Sequence, residues 1–277
     1  MTRGLLLIVT LLSVVVLAVL AGSGCHSVAG MDELGLVWSD EFDGEAGQSP
    51  DSTRWTFDIG TGDNGWGNAQ LEYDTNLPAN VSLDGEGHLA ITAIEEEHLG
   101  SDYTSGRINT RSRFARTRGR FEARIKLPVG QGIWPAFWLL GDNIGQVGWP
   151  GCGEIDILEY LGHQPNRVYG TLHGPDYSGG NSVGGHYELE GASFNDDFHV
   201  FAIDWSSDSI SWSVDDQVYL TLGPSDLPPG TSWVFNHDFF IILNVAVGGY
   251  WPGPPDASTV FPQTMLVDYV RVYGTGS

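Results

Sequence analysis

Cysteine, basic residues and helical patterning are all scarce in this 277-residue chain, and each scarcity removes a class of protein. Two cysteines, Cys25 and Cys152, cannot build the disulfide framework of a small secreted scaffold, and no intrachain pair survives if Cys25 is modified or removed. Twelve bases against 35 acids leave a formal net charge of −23. That balance argues against nucleic acid and anionic membrane surfaces as partners, because both are held through basic patches. A neutral or cationic partner is expected. The eight histidines show no zinc-ligand spacing, and no run carries a helical period of useful length.

What the chain does hold is apolar and aromatic bulk, 41% and 12% of its residues, enough for a large core. Strand-like runs such as 88–94, 198–205, 210–220, 239–247 and 265–273 alternate with Gly, Pro, Asn and Asp, and the 38 glycines and 14 prolines suit many turns. The pattern predicts an all-β sandwich or barrel forming one domain. Eight of the 12 bases crowd into 107–126. Within that stretch Arg116, Arg118, Arg120, Arg124 and Lys126 occupy even positions and Phe121, Ala123, Ile125 and Leu127 odd ones, so it reads as a half-buried strand with a solvated basic face.

The N-terminus reads as an address. Thr2 and Arg3 lead into an apolar run from Leu5 to Ala21, followed by Gly22, Ser23, Gly24 and Cys25, the layout of a bacterial secretory signal. Residues 1–25 are therefore assigned to the signal, 26–34 to a short tether and 35–277 to the folded domain. Ser-Gly-Cys resembles the end of a lipoprotein signal, whose cysteine carries lipid, although Gly22 stands where leucine is usual. Ordinary cleavage nearby is the alternative; an uncleaved anchor is a third, and Thr10 and Ser13 leave its apolar run short for a span. The expected location is secreted or anchored to the cell envelope, with membrane contact only through that lipid.

The stretch GEIDILEY, 153–160, sets Glu154, Asp156 and Glu159 among large aliphatic residues. An isolated buried carboxylate costs several kcal/mol or surrenders its charge, so acids placed there must line something. In a regular strand Glu154 and Asp156 share a face while Ile155 and Ile157 point to the core, and Glu159 is out of phase. One residue bulged around Ile157 and Leu158 keeps both apolar side chains inward and swings Glu159 back to the other acids. Two glutamates on one face suit glycoside hydrolysis with retention, which needs a nucleophile and an acid/base roughly 5–5.5 Å apart. Crowding raises the pKa of one of them, so that it holds a proton near neutrality. A calcium site or a solvated acidic strand is the competing reading. Trp134 and Trp138, four apart, share a strand face on which flat rings could stack sugars or simply fill core. Cys152 has no basic or histidine neighbour in sequence and reads as a small buried residue.

Taken together, WPGCGEIDILEY at 149–160, WSDEF at 38–42, GWGNAQLEY at 65–73, YTSGRINT at 103–110, GRFEARIKLP at 119–128, WPAFWLL at 134–140, LNVAVGG at 243–249 and FPQTMLVDYVRVY at 261–273 resemble glycoside hydrolase family 16, in its bacterial laminarinase-like branch. The resemblance spans Leu36 to Gly274. It implies a jelly-roll β-sandwich of two curved antiparallel sheets with a concave glycan cleft, acting as a monomer on β-glucan by retaining double displacement. By the same resemblance Glu154 is the nucleophile, Glu159 the acid/base and Asp156 their helper. Trp134, Trp138, Trp149, His173, Asn68, Arg107, Asn244, Trp251 and Gln263 match cleft-lining positions, with Tyr169 and Thr171 expected on the face of His173. No catalytic cofactor is implied. A structural calcium is implied at Glu41, the carbonyl of Gly87 and Asp268. Ala69-Gln70 and Asp74 depart from the Asn-Glu and tyrosine common in laminarinases, which leaves mixed-linkage glucan, galactan, sugar transfer or non-catalytic glycan binding as alternatives.

Overall fold

The computed structural model describes Met1 and residues 34–275. The expected signal and tether lie, apart from their end residues, outside the described residues. No helix among the described residues is long and apolar enough to cross a membrane.

Two sheets account for the folded domain. The larger, of ten strands, runs β15 (Gln217–Leu222), β14 (Ile210–Val214), β13 (His199–Trp205), β8 (Gly119–Lys126), β17 (Gln263–Gly274), β5 (Leu89–His98), β6 (Ser101–Ser105) and β3 (Glu72–Asp74). In addition β1 (Gly35–Asp40) pairs with β17, and β4 (Val81–Leu83) with β5. The smaller, of seven, runs β12 (Val183–Glu188), β11 (Arg167–His173), β10 (Glu154–Tyr160), β9 (Ile133–Gly141), β16 (Phe239–Val247), β7 (Arg107–Asn109) and β2 (Thr56–Phe57). All pairings are antiparallel except that of β3 with β6. Among the described residues the one α-helical segment, α1, is the four residues Ile144–Val147.

Alternation writes the core. On β8, Phe121, Ala123 and Ile125 are fully buried, as are Phe137 and Leu139 on β9 and Ile155 on β10. β16 is buried at every position, the mark of a central strand covered on both faces. The run 210–220, which reads as one strand in sequence, is instead the hairpin β14–β15. It turns at Asp215 and Asp216, whose φ angles of 48° and 63° are the left-handed pair of a type I′ turn. The even positions of β8 also differ from expectation. Arg120 pairs with Glu122, Asp204 and Asp216, and Arg124 with Asp268, so the arginines sit in an ion-pair network rather than on a free basic face.

Candidate active site

The three acids stand on one face because β10 breaks register in the middle. Against β11, Asp156 lies opposite Thr171 and Glu159 opposite Tyr169, so Ile157 and Leu158 together face Gly170 alone. Both are buried in the core, at 2% and 0% exposure, as the bulge requires. Without the extra residue Glu159 would point inward.

Strand pairing then assembles the site in rows across the smaller sheet. One row reads Arg107, Asn244, Ala136, Glu159, Tyr169, His186. The next reads Ile242, Trp138, Asp156, Thr171, Gly184, and the third Phe240, Leu140, Glu154, His173. Same-face residues of one strand are about 6.5–7 Å apart and neighbouring strands about 4.8 Å, so the rows make a tiled floor on the scale of sugar rings. Above it lies a cleft of about 1020 Å³.

Asn68, Arg107, Trp134, Trp138, Trp149, His173, Asn244 and Trp251 all line this cleft with the acids. Gln263 does not. It starts β17 in the other sheet, and its amide is held by the Val129 N–H (3.0 Å) and the Val260 carbonyl (2.6 Å). The cleft also takes residues that period-two reasoning missed: Trp66, Tyr250 and His186. Trp66 comes from the loop 65–69, where its φ is 51°. Its ring lies 4.5 Å from the Arg107 guanidinium, whose other neighbour is Trp138 at 4.9 Å. Asp58 fixes the arginine from behind at 3.0 Å, and Asn244 fixes Trp138 by accepting its indole N–H at 2.8 Å. Trp251 meets Trp134 and Tyr169 edge-on, at 5.6 and 4.9 Å between centroids. Half-exposed Trp149 stands at the opposite end, by Glu154.

Burial raises all three acids. Burial pushes Glu154 and Glu159 up to about 8, with Asp156 adding repulsion to both, and burial alone holds Asp156 well above the carboxylate range. Glu154 is offered the Trp149 indole N–H at 3.1 Å. Glu159 accepts the Thr171 hydroxyl at 3.0 Å. His173 Nε2 lies 3.2 Å from Asp156 Oδ2 and 3.6 Å from Glu154 Oε1. Its Nδ1 accepts the Gly179 backbone N–H at 3.1 Å, which places the ring proton on Nε2, facing the acids.

Among the described residues Glu154, Asp156 and His173 form the one group of three side chains close enough for a metal. The Gly179 contact argues against that use, since it turns a proton rather than a lone pair toward the carboxylates. The calcium set is also not built as a cation cage. Pairing of Asp40 with Val270 brings Glu41 alongside the bulge at Asp268, yet Glu41 holds Arg271 through both oxygens and Asp268 holds Arg124 at 2.6 Å. The Arg271 guanidinium keeps the Glu41 carboxyl below its usual range. Cys152 is buried against Leu140, Phe240 and Ile242, and burial pushes its thiol up to about 11, which leaves it a packing residue.

Comparison with known proteins agrees with this geometry. Residues 63–271 match the glycosyl hydrolases family 16 model. A beta-glucanase of Rhodothermus marinus is 42% identical over 86% of this chain and 84% of its own. Among solved structures, the laminarinase catalytic domain of Thermotoga maritima is 50% identical with a TM-score of 0.82, covering 88% of this chain and 99% of that one. The endo-beta-1,3-glucanase of Pyrococcus furiosus is 47% identical with the same score, covering 87% and 94%. On sequence, fold and the placement of its acids, the chain belongs to glycosyl hydrolases family 16.

Proposed function

We propose that this protein is a retaining endo-glycosidase that cleaves internal β-1,3 bonds of laminarin-type β-glucan. The observation that carries the reading is the bulge of β10, which sets two glutamates on one face of an aromatic-lined cleft. Its open, rowed floor suits the middle of a polymer, and the laminarinases it resembles support the linkage.

The chemistry follows from the three environments. Glu154 accepts the Trp149 indole N–H, which supports its ionised form, while Glu159, raised by burial and by repulsion from Asp156, holds the proton that the leaving oxygen needs. The Glu154 oxygen attacks the anomeric carbon as protonated Glu159 gives its proton to the departing glycosidic oxygen, leaving a glycosyl ester on Glu154. Glu159, now ionised, takes a proton from water as that water attacks the same carbon and frees Glu154. Two inversions give retention. No catalytic cofactor enters. The cleft is complete within one chain, which supports action as a monomer.

The test is reducing-end release from laminarin, mixed-linkage β-glucan and agarose by the protein and its Glu154→Gln variant. Laminarin cleavage lost in the variant is the expected result. Binding without cleavage by the unaltered protein would replace the enzyme with a glycan-binding sandwich, and products longer than the substrate would show transfer. We further read the protein as exported and lipid-anchored at Cys25, supported by the apolar run 5–21 before Ser-Gly-Cys. Fatty-acid labelling lost in Cys25→Ala checks it, and labelling of neither form would leave plain secretion. The guanidiniums of Arg271 and Arg124 on Glu41 and Asp268 count against a calcium ion held by those side chains. Chelator should leave Tm unchanged, and a fall of several degrees would restore the ion.

A further inference from the structure

The bulge that places Glu159 leaves a backbone debt. Where Ile157 and Leu158 together face Gly170, the ladder is interrupted on both sides of β10, and a buried carbonyl left unpaired there would be destabilising. The carbonyl of Asp156 finds its partner outside its own sheet: Trp212 Nε1, on β14 of the facing sheet, donates to it at 2.8 Å. Trp212 is fully buried. Its seat exists because residue 170 is glycine, for a Cβ there would lie 2.5 Å from Trp212 Cδ1 and 2.7 Å from Nε1. Trp212 touches no substrate, and its ring lies in the core beneath the catalytic floor.

We propose that Trp212 is a positioning residue for the hydrolysis, its indole N–H pinning the Asp156 carbonyl from below and so holding the bulge that turns Glu159 toward Glu154. Gly170 is the second half of the device, the gap through which the indole reaches the strand. The inference rests on the roles proposed above for Glu154 and Glu159.

Trp212→Phe keeps a large ring and removes the donor. Released, the bulge relaxes and the glutamates sit less closely, so kcat on laminarin should fall about 10- to 100-fold, the scale of a misplaced catalytic group, with KM within about twofold. The alkaline limb of the pH profile should move to lower pH as the carboxyls part. Trp205→Phe is the control: its indole is also buried, one strand away, and its nitrogen has no hydrogen bond to lose. It should lower Tm without moving kcat or the profile. If Trp212→Phe does not fold, Gly170→Ala displaces the indole from the other side and should give the same signature. A folded Trp212→Phe or Gly170→Ala enzyme with unchanged kcat and pH limbs, or a Trp205→Phe enzyme with the same kinetic losses, overturns the proposal. Glu154→Gln keeps that failure distinct: activity surviving there would sink the assigned roles, whereas activity lost there but kept in Trp212→Phe would sink only the clamp.

Discussion

β10 and β8 are both strands that alternate charge with aliphatic core, and they treat that charge in opposite ways. On β8, Arg120 meets Glu122, Asp204 and Asp216 within 3.2 Å, so each buried acid has a cation. On β10, Glu154, Asp156 and Glu159 have one imidazole among them, and its other nitrogen is occupied by the Gly179 N–H. The first arrangement satisfies charge and the second starves it. Starvation is what the chemistry needs, because a glutamate rich in cationic partners would have lost the proton that the leaving oxygen requires.

The sharpest way to break this contrast is Asp156→Asn. It removes a neighbour whose repulsion raises both glutamates, so their pKa values should fall and Glu159 should give up its proton at lower pH. At pH 7 kcat should drop about 10- to 100-fold, with the alkaline limb shifted downward. A profile unchanged in position would show that Asp156 acts only through packing.

A second measurement compares stability with activity. Glu154 and Glu159 titrate near 8 when folded against an ordinary 4.5, and burial likewise carries Glu72 to about 7. Groups raised by folding hold extra protons in the native state, so their contribution is complete below about 4.5 and is lost as pH climbs toward 8. Tm should therefore decline across that window, and the alkaline limb of kcat/KM should fall near its upper end. Glu154→Gln should flatten the decline while losing activity. A Tm that rises from pH 5 to 8 would contradict the starved cluster.

Legibility in the sequence followed the range of the interactions. The bulge could be read because its cause is local: consecutive apolar residues, Ile157 and Leu158, between acids that must share a face. Trp134 and Trp138 followed from the same alternation. Trp66 and Tyr250 could not, since their places depend on where loops return, although the glycine-flanked tryptophan of GWGN was a hint. Gln263 failed because a match of motif does not say which sheet a strand joins. The arginine face of β8 was misread as solvated because its partners Asp204, Asp216 and Asp268 lie 84 to 144 residues away. The turn at Asp215–Asp216 lacks the glycine that usually announces one.

The smallest expected effect lies on the satisfied strand. Arg120→Gln strips a cation from Glu122 and Asp204, whose side chains are 10% and 21% exposed, and from solvent-facing Asp216. The first two then carry an uncompensated, partly buried charge, at a cost of about 1–2 kcal/mol, the low end for breaking such a pair because water still reaches them. That corresponds to a Tm lower by roughly 3–6 °C. The loss should grow with pH, because burial raises Asp204 and Arg120 is what opposes it, so removing the arginine leaves the carboxylate form least tolerated. The cleft lies on the other sheet and shares no hydrogen bond with this network, so kcat and its pH limbs should stay in place. Should they move with Arg120, the two strands would prove electrostatically coupled through the core, and the starved cluster would owe part of its high pKa values to the sheet behind it.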